Sequence, residues 1–321
     1  MNLQNLAQNF SDEDQARRFL ERLRWPNGTI CPHCGLERDA YRLTADPDSD
    51  KPVRKGVWKC KGCLKQFTVT VGTIFEDSHV PLNKWLMAIH FLCASKKGMS
   101  SHQLHRMLGV TYKTAWFMTH RIRYAMKQES IFPLAGTVEI DETYIGGKKR
   151  TGPQSVKPGE RPKDRKWYGE TKAPVVALVQ RNGRVHSRHV PKVTAENLKP
   201  VIAEIVAENS HVMTDSGTVL QGVLMGRKHD QVNHSAGEYV RYKDGVKITT
   251  NSVEGFFANL KRGINGVYHH VSKEHLHRYL AEFDFRYNYR RVKDNERSLA
   301  AIKRVAGKRL KYRDTKPAEK F

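Results

Sequence analysis

Two pairs of cysteines constrain the fold of this chain more than any other feature. Cys31 and Cys34 form one Cys-x-x-Cys pair, and Cys60 and Cys63 form a second pair after 25 intervening residues. Two pairs at such a spacing are typical of a tetrahedral site with four thiolate ligands for zinc. Because sulfur fills all four positions, the ion has a structural role. A redox-active Cys-x-x-Cys is the alternative, and the presence of two pairs argues against it. The sequence therefore predicts a zinc ribbon, preceded by a helix, within residues 1–80.

The charge of the chain indicates a polyanionic partner. Its 321 residues include 56 Lys and Arg against 33 Asp and Glu, which gives a formal net charge of +23 at pH 7. An excess of this size favours nucleic acid over a basic surface without a specific partner. No run of 18 or more apolar residues occurs, so no membrane span is expected. The polar, acidic start of the chain is also wrong for a signal peptide. We therefore expect a cytoplasmic protein.

A helical segment is expected over residues 81–131. Its pattern is a short helix, a turn at Gly109 and a longer helix, which is the order of a helix-turn-helix unit. An ordinary packed pair of helices is the alternative, and the charge of the chain favours DNA binding. The basic residues predicted on the outer face of the longer helix are Lys113, His120, Arg121, Arg123 and Lys127.

The region from 136 to 292 contains three separated acids. Asp141 ends an apolar run that predicts a strand from Gly136 to Asp141, and Asp215 ends a second apolar run. Glu254 lies just inside a predicted helix. The order of strands and helices predicts an α/β domain with a mixed sheet and flanking helices, in which the first and fourth strands are neighbours. Asp141 and Asp215 would then lie side by side.

Three carboxylates that meet at one point repel one another unless cations separate them. Hard oxygen ligands suit Mg²⁺ or Mn²⁺. Taken singly, each acid has a structural alternative: a turn for Asp215, an exposed loop for Asp141 and its neighbour Glu142, and a capping box between Asn251 and Glu254. The combined order of the three acids, on a basic chain with a zinc ribbon, favours a catalytic metal site.

Two basic segments accompany this domain. Residues 147–172 form a polar insertion with nine Lys or Arg against three acids, and residues 293–321 form a basic C-terminal tail. Contacts to DNA phosphates are the expected use of both. Lys261 lies seven residues after Glu254, about two helical turns, so we expect it on the same helix face near a phosphate.

Several stretches together resemble a known family, the bacterial insertion-sequence transposases that carry a zinc ribbon and a DDE domain (the ISXO-type branch related to Merlin elements). The resemblance extends from about Cys31 to Arg290. The matching stretches are Cys31-Pro-His-Cys-Gly, Trp58-Lys-Cys-Lys-Gly-Cys, Val71-Gly-Thr-Ile-Phe, Ile140-Asp-Glu-Thr-Tyr-Ile-Gly-Gly-Lys, Thr214-Asp-Ser, Val232-Asn-His-Ser, Asn251-Ser-Val-Glu-Gly-Phe-Phe-Ala-Asn-Leu-Lys-Arg-Gly and Val267-Tyr-His-His-Val-Ser.

The resemblance implies an RNase-H-like fold and DNA transposase activity, with Asp141, Asp215 and Glu254 as the catalytic triad that binds two Mg²⁺ or Mn²⁺ ions. Some members of this branch carry Asn in place of the third acid, and the nearby substitutes here are Asn251 and Asn259. The resemblance places His229 and His234 near the site without giving their roles. Two further histidines are expected to contact DNA or pack against the domain, namely His269 and His270.

The leading hypothesis is therefore a nucleoid-associated DNA transposase that binds terminal inverted repeats and cuts and joins DNA by a two-metal mechanism. Its partners would be the element ends, the target DNA and further copies of the chain. One alternative is a DNA-binding regulator that uses the zinc ribbon and the helix-turn-helix and has an inactive nuclease-like domain. Another is an RNase H or junction nuclease on the same fold.

Overall fold

The chain folds into two compact units. The first unit joins residues 1–127 to residues 291–321, and the second is the continuous stretch 128–290. None of the helices that the structure describes is both long and apolar enough to span a membrane. The residues described by a computed structural model are 11–44, 53–128, 133–146 and 172–315.

The predicted basic insertion 147–172 lies outside these residues except for Lys172. The helices and strands are, in chain order, α1 (Glu13–Arg24), β1 (Ala40–Arg42), β2 (Trp58–Cys60), β3 (Gln66–Phe67), α2 (Leu82–Ala94), α3 (Ser101–Leu108), α4 (Tyr112–Met126), β4 (Thr137–Ile145), β5 (Ala173–Gln180), β6 (Val185–His189), α5 (Ala195–Ile205), β7 (His211–Asp215), α6 (Thr218–Val223), β8 (His229–Val232), β9 (Arg241–Lys243), β10 (Val246–Ile248), α7 (Asn251–Gly263), α8 (Lys273–Asn288) and α9 (Asp294–Lys303). Shorter helical turns occur at His234–Ala236, Ile264–Tyr268 and Tyr312–Thr315.

A small antiparallel sheet, in the order β1-β2-β3, forms the ribbon of the first unit. Its short strands are stabilised by an aromatic cluster, because the ring of Trp25 packs edge-on against Trp58 at 6.1 Å and against Phe67 at 5.8 Å. Glu21 on α1 accepts hydrogen bonds from the Trp58 indole at 3.2 Å and from Arg42 at 2.6 Å. Helix α1 is thereby joined to the ribbon by both apolar and polar contacts.

Helices α3 and α4 have the predicted order of a helix-turn-helix unit. Gly109 ends α3 with φ 58°, a left-handed conformation that favours glycine. The hydroxyl of Ser100 caps α3, and the hydroxyl of Thr111 caps α4 by accepting from the Thr114 amide at 3.1 Å. The sharp turn and the two caps explain why the short helix and the long helix are separate elements.

The predicted basic outer face of α4 is wrong for three of its residues. His120, Arg121 and Arg123 are all buried, whereas Lys113 is exposed. Arg121 donates to the backbone carbonyl oxygens of residues 74, 76 and 310 at 2.9–3.0 Å. Helical periodicity placed these side chains on a polar face, but the loop before α2 and the C-terminal segment both supply carbonyl groups that accept from the Arg121 guanidinium.

The described part of the predicted basic tail is folded, and its contacts with DNA phosphates stay a prediction. Helix α9 packs against α2, and residues 291–321 belong to the first unit. Lys308 is 4% exposed and donates to the carbonyl oxygens of Ala125 and Lys127 at 3.0 and 2.8 Å. Cations in this segment therefore satisfy helix C-terminal carbonyl groups. The final residues, 316–321, lie outside the described part of the chain.

A five-stranded mixed sheet forms the centre of the second unit. The strand order is β6-β5-β4-β7-β8; β6, β5 and β4 pair antiparallel, whereas β4, β7 and β8 pair in parallel. One face packs against α7 and α8 through side chains such as Val175 and Phe256. The other face packs against α5 through side chains such as Val138 and Ile202. The predicted α/β architecture, a mixed sheet with flanking helices, is confirmed.

Candidate functional site

The four predicted zinc ligands lie together in the ribbon. The Sγ atoms of Cys31 and Cys63 are 3.6 Å apart, those of Cys34 and Cys60 are 3.7 Å apart, and all four lie within 4.8 Å of one another. A tetrahedral zinc ion with bonds of about 2.3 Å requires sulfur atoms about 3.8 Å apart, so the arrangement fits the ion.

The ionisation of the first thiol also suits a zinc ligand. Burial raises the pKa of Cys31, but hydrogen bonds from the backbone of Cys34 and His33 outweigh burial and lower this pKa to about 6. Zinc binds the thiolate form of cysteine. Cys31 is therefore the thiol that loses its proton first, whereas, against a hydrogen bond from the backbone of Leu36, burial and the neighbouring thiols raise the pKa of Cys34 to about 11.

The sheet register aligns two of the predicted catalytic acids. Strands β4 and β7 are paired in parallel, and their last pair is Glu139 with Met213. Two residues further along each strand come Asp141 and Asp215. Because side chains alternate along a strand, Asp141 lies on the same face as Glu139, and Asp215 lies on the same face as Met213. The neighbouring strands therefore present these two carboxylates at equivalent positions on one face.

Asp141 is in the middle of its strand, and the expectation that the strand ends there is wrong. Strand β4 continues to Ile145 because β5 pairs with it along its whole length, including Asp141 with Ala177. On the other side, the pairing with β7 stops at Glu139. Asp141 therefore lies two residues beyond the last residue of β4 that pairs with β7.

The charges of neighbouring acids contribute to the electrostatics of Asp141. Burial is the largest of the causes that raise its pKa to about 7; the negative charges of Glu142, Asp215 and Glu254 contribute to the same rise, and the hydrogen bond from the Glu142 amide opposes it. Glu142 is half-buried within β4, not in the exposed loop that was expected. Its pKa is raised by burial and by the charge of Asp215. Positive charge placed among these side chains would relieve the repulsion.

Glu254 is held near the start of α7 by a local hydrogen-bond network. The Thr250 hydroxyl donates to its Oε1 at 2.7 Å, and the Nε2 of His234 lies 3.4 Å from the same oxygen and 3.1 Å from the Thr250 hydroxyl. The Glu254 side chain is nevertheless 45% exposed. Its second carboxylate oxygen is therefore available on the solvent side.

The capping box considered for Asn251 and Glu254 does not form. Asn251 is the first residue of α7, and the N-cap residue Thr250 makes no side-chain cap bond. The Ser252 and Val253 amides of the first turn donate instead to Glu139, a residue of β4. An acid from another element, and not Glu254, therefore caps the first turn of α7.

The carboxylate oxygens of Asp141, Asp215 and Glu254 do not form as compact a cluster as the four cysteine sulfur atoms. Within the described ranges, the four cysteines are the one set of three or more potential ligand groups that lie within 4.8 Å of one another. Asp215 accepts a hydrogen bond from the Gly217 amide at 3.1 Å. The carboxylates are therefore neighbours in one region of the domain, without forming a compact single-ion cage.

The remaining predicted residues have different surroundings. Lys261 is exposed on α7, two turns after Glu254. His229 contacts the Thr214 hydroxyl at 2.8 Å, and burial lowers its pKa. The two histidines that were expected to contact DNA or pack against the domain are both exposed, namely His269 and His270.

Sequence reasoning missed two residues of this region, Glu139 and Arg181. Glu139 is fully buried on β4, and Arg181 in the β5–β6 turn pairs with it at 2.9 Å. The available signal was an acid in an otherwise apolar strand, two residues before Asp141 and hence on the same face. Arg181 gave no signal of its own, because Arg-Asn-Gly is a common hairpin turn.

The comparisons with known proteins agree with this architecture. Residues 133–288 match the model of the ISXO2-like transposase domain, and residues 11–66 match the model of the transposase zinc-ribbon domain. The chain is 29% identical over 290 residues to an uncharacterized protein in transposable element ISH50 of Halobacterium salinarum, which covers 86% of this chain and 91% of that protein. No solved structure matches the chain.

A zinc ribbon together with a domain of this kind defines an insertion-sequence transposase. The two matched segments cover roughly two thirds of the chain, and it belongs to the family of ISXO2-like transposases. The predicted family and the predicted RNase-H-like fold are thereby confirmed. The ribbon match and the thiol cluster together support the predicted structural zinc.

Proposed function

We propose that this chain binds the terminal inverted repeats of its element and catalyses DNA strand cleavage and strand transfer at Asp141, Asp215 and Glu254. The observation that carries the proposal is the raised pKa of Asp141, because the charges of the other two acids contribute to it. A fold that buries one carboxylate and directs two more towards it costs stability unless a ligand compensates. Functional sites are where such groups occur most often.

Two Mg²⁺ or Mn²⁺ ions held by these acids would supply Lewis-acid chemistry at a scissile phosphate, both for attack by water and for later attack by the freed 3′ hydroxyl. The chain itself supplies placement. Asp141 and Asp215 come from neighbouring strands, and the Gly217 amide orients the carboxylate of Asp215. The Thr250 hydroxyl occupies one oxygen of Glu254 and directs the other outward.

DNA binding would use surfaces in both units. The exposed start of α4, with Lys113, is the part of a recognition helix that enters the major groove. Lys261 would contact a phosphate beside the acids. The net charge of +23 supplies the electrostatic component, which weakens steeply with salt. Joining two element ends would require at least two copies of the chain on DNA.

The test is cleavage of a labelled inverted-repeat end by purified full-length protein with Mg²⁺. Asp141→Ala, Asp215→Ala and Glu254→Ala should each abolish nicking and strand transfer. Glu208→Ala is the matched control, because Glu208 is an exposed acid on the loop before β7. Repeat-end binding, measured by gel shift in Ca²⁺, should be retained by all four variants.

Full strand cleavage by all three triad variants would reject the proposed site. Specific binding without cleavage by the wild-type chain, in either Mg²⁺ or Mn²⁺, would favour the DNA-binding regulator. Cleavage of RNA–DNA hybrids or of branched DNA, without any dependence on the repeat sequence, would favour the nuclease. Short inverted repeats and target duplications that flank the gene would support the transposase.

A further inference from the structure

Glu139 makes an unusual set of contacts for a strand residue. Its carboxylate accepts from the Ser252 amide at 2.7 Å, from the Val253 amide at 3.2 Å and from the Ser252 hydroxyl at 3.0 Å. These are the free donors of the first turn of α7, and a negative charge there also interacts favourably with the helix dipole. Strand β4 therefore caps the helix that bears Glu254.

Arg181 connects the same carboxylate to the remaining elements of the site. Its Nε and Nη2 lie 3.0 and 2.9 Å from Glu139 Oε1, and Nη2 is also 3.0 Å from the sulfur of Met213 on β7. Its guanidinium donates to the carbonyl oxygens of Lys247 at 2.7 Å and of Thr249 at 3.2 Å. One cation thus contacts both strands that carry the aspartates and the segment that leads into α7.

We infer that the Glu139–Arg181 pair is the positioning device of the site, which fixes Glu254 relative to Asp141 and Asp215. This inference rests on the proposed function of those three acids. Glu139 is two residues from Asp141 along β4, and its capped residue Ser252 is two residues from Glu254 along α7. At a rise of about 1.5 Å per residue, the anchor is about 3 Å along the helix axis from Glu254, so a shift of the helix start moves that acid directly.

Glu139 is a positioning residue and not a further metal ligand. Its two oxygens accept three hydrogen bonds from α7 and one from Arg181 Nε, Arg181 Nη2 is ion-paired with it at 2.9 Å, and its side chain is 0% exposed. No lone pair is left for an ion. A neutral glutamine fits the same space but loses the charge that pairs with Arg181 and interacts with the helix dipole. Outer residues that orient metal ligands typically change metal affinity by about 10–100-fold when they are replaced.

Glu139→Gln should therefore be compared with Glu282→Gln in full-length, zinc-loaded protein. Glu282 is the matched control because it is also 0% exposed and is ion-paired to a buried arginine, Arg286 on α8. Hydrogen exchange without Mg²⁺ would follow the amides of residues 251–254. Titration with Mn²⁺, followed by electron paramagnetic resonance, would give metal affinity, and Asp141→Asn would identify the part of the binding that belongs to the site.

We expect Glu139→Gln to accelerate exchange at residues 251–254 and to weaken Mn²⁺ binding by about tenfold or more. Glu282→Gln should leave both within about twofold of wild type while lowering the urea midpoint to a similar extent. Unchanged exchange in Glu139→Gln, or faster exchange with unchanged Mn²⁺ affinity, would overturn the inference. Equal Mn²⁺ binding by wild type and Asp141→Asn would instead reject the proposed function, and the exchange data would then decide the positioning role alone.

Discussion

Asp141→Asn should stabilise the metal-free protein above neutral pH, although it removes a proposed catalytic group. The pKa of Asp141 lies at about 7 in the fold, compared with an ordinary value of 3.8. A tenfold change in proton affinity corresponds to about 1.4 kcal/mol, so ionising this carboxylate above pH 7 costs the folded state about 4 kcal/mol. Asparagine has the same shape, still accepts from the Glu142 amide and carries no charge.

The pH dependence of this gain follows from the direction of the shift. Between pH 3.8 and about 7 the folded state binds more protons at Asp141 than the unfolded state does, so wild-type stability falls as pH rises. The advantage of Asp141→Asn should be absent below about pH 4, grow through that window and reach its full size above pH 7. Glu208→Gln, at an exposed acid of the same unit, should show no such trend.

The assay is urea unfolding of the zinc-loaded full-length protein at pH 4 to 8.5 without added Mg²⁺, followed by far-ultraviolet circular dichroism and by hydrogen exchange at β4. Adding Mg²⁺ at pH 8 should stabilise the wild type, and Asp141→Asn should gain little from it. If the variant were equal to or less stable than the wild type at pH 8, Asp141 would not carry a buried, repelled charge, and the main support for the metal site would be lost.

Four other outcomes are expected. Cys34→Ser or Cys60→Ser should reduce bound zinc, measured by plasma mass spectrometry, from one ion per chain towards zero and unfold the ribbon. Asp284→Asn should stabilise the protein above pH 7 and have no effect at low pH, because burial raises the pKa of Asp284 to about 7; urea unfolding at both pH values checks this. Arg121→Met should destabilise by about 3 kcal/mol or more in urea unfolding, since it leaves buried carbonyl groups unpaired, and should not alter the salt dependence of DNA binding. Lys113→Ala, in contrast, should reduce the slope of that salt dependence by about one without loss of stability.

Much of the fold could be predicted because its signals are local. The spacing of the cysteines predicts the ribbon, and apolar runs separated by turns predict the strands of the mixed sheet. Asp141 and Asp215 could be aligned because a parallel neighbour fixes side-chain alternation on both strands. The length of β4 could not be predicted from the same run, because its second half is stabilised by β5, which follows after 27 intervening residues.

Residues whose role depends on distant partners could not be predicted. Arg121 and Arg123 have the helical spacing of an exposed basic face, but residues 291–315 pack in the first unit and cover it. Nothing in the local pattern distinguishes an arginine that binds phosphate from one that binds backbone carbonyl groups. Lys308 illustrates the same difficulty, since a basic run predicts solvent exposure and the fold buries its ammonium group among carbonyl oxygens.

The acids of the second unit are distinguished by the donors that each one already has. Glu139 and Asp141 lie on the same face of one strand, and a sequence motif alone gives no reason to choose between them. Four hydrogen bonds and one ion-pair contact from protein groups occupy Glu139, whereas among the described residues Asp141 accepts one hydrogen bond, from the Glu142 amide. A carboxylate that is fully bonded inside the protein is stable as an anion, and one that is buried with little compensation requires a cation or a proton. The proposals that Asp141 is a metal ligand and that Glu139 positions Glu254 rest on that difference.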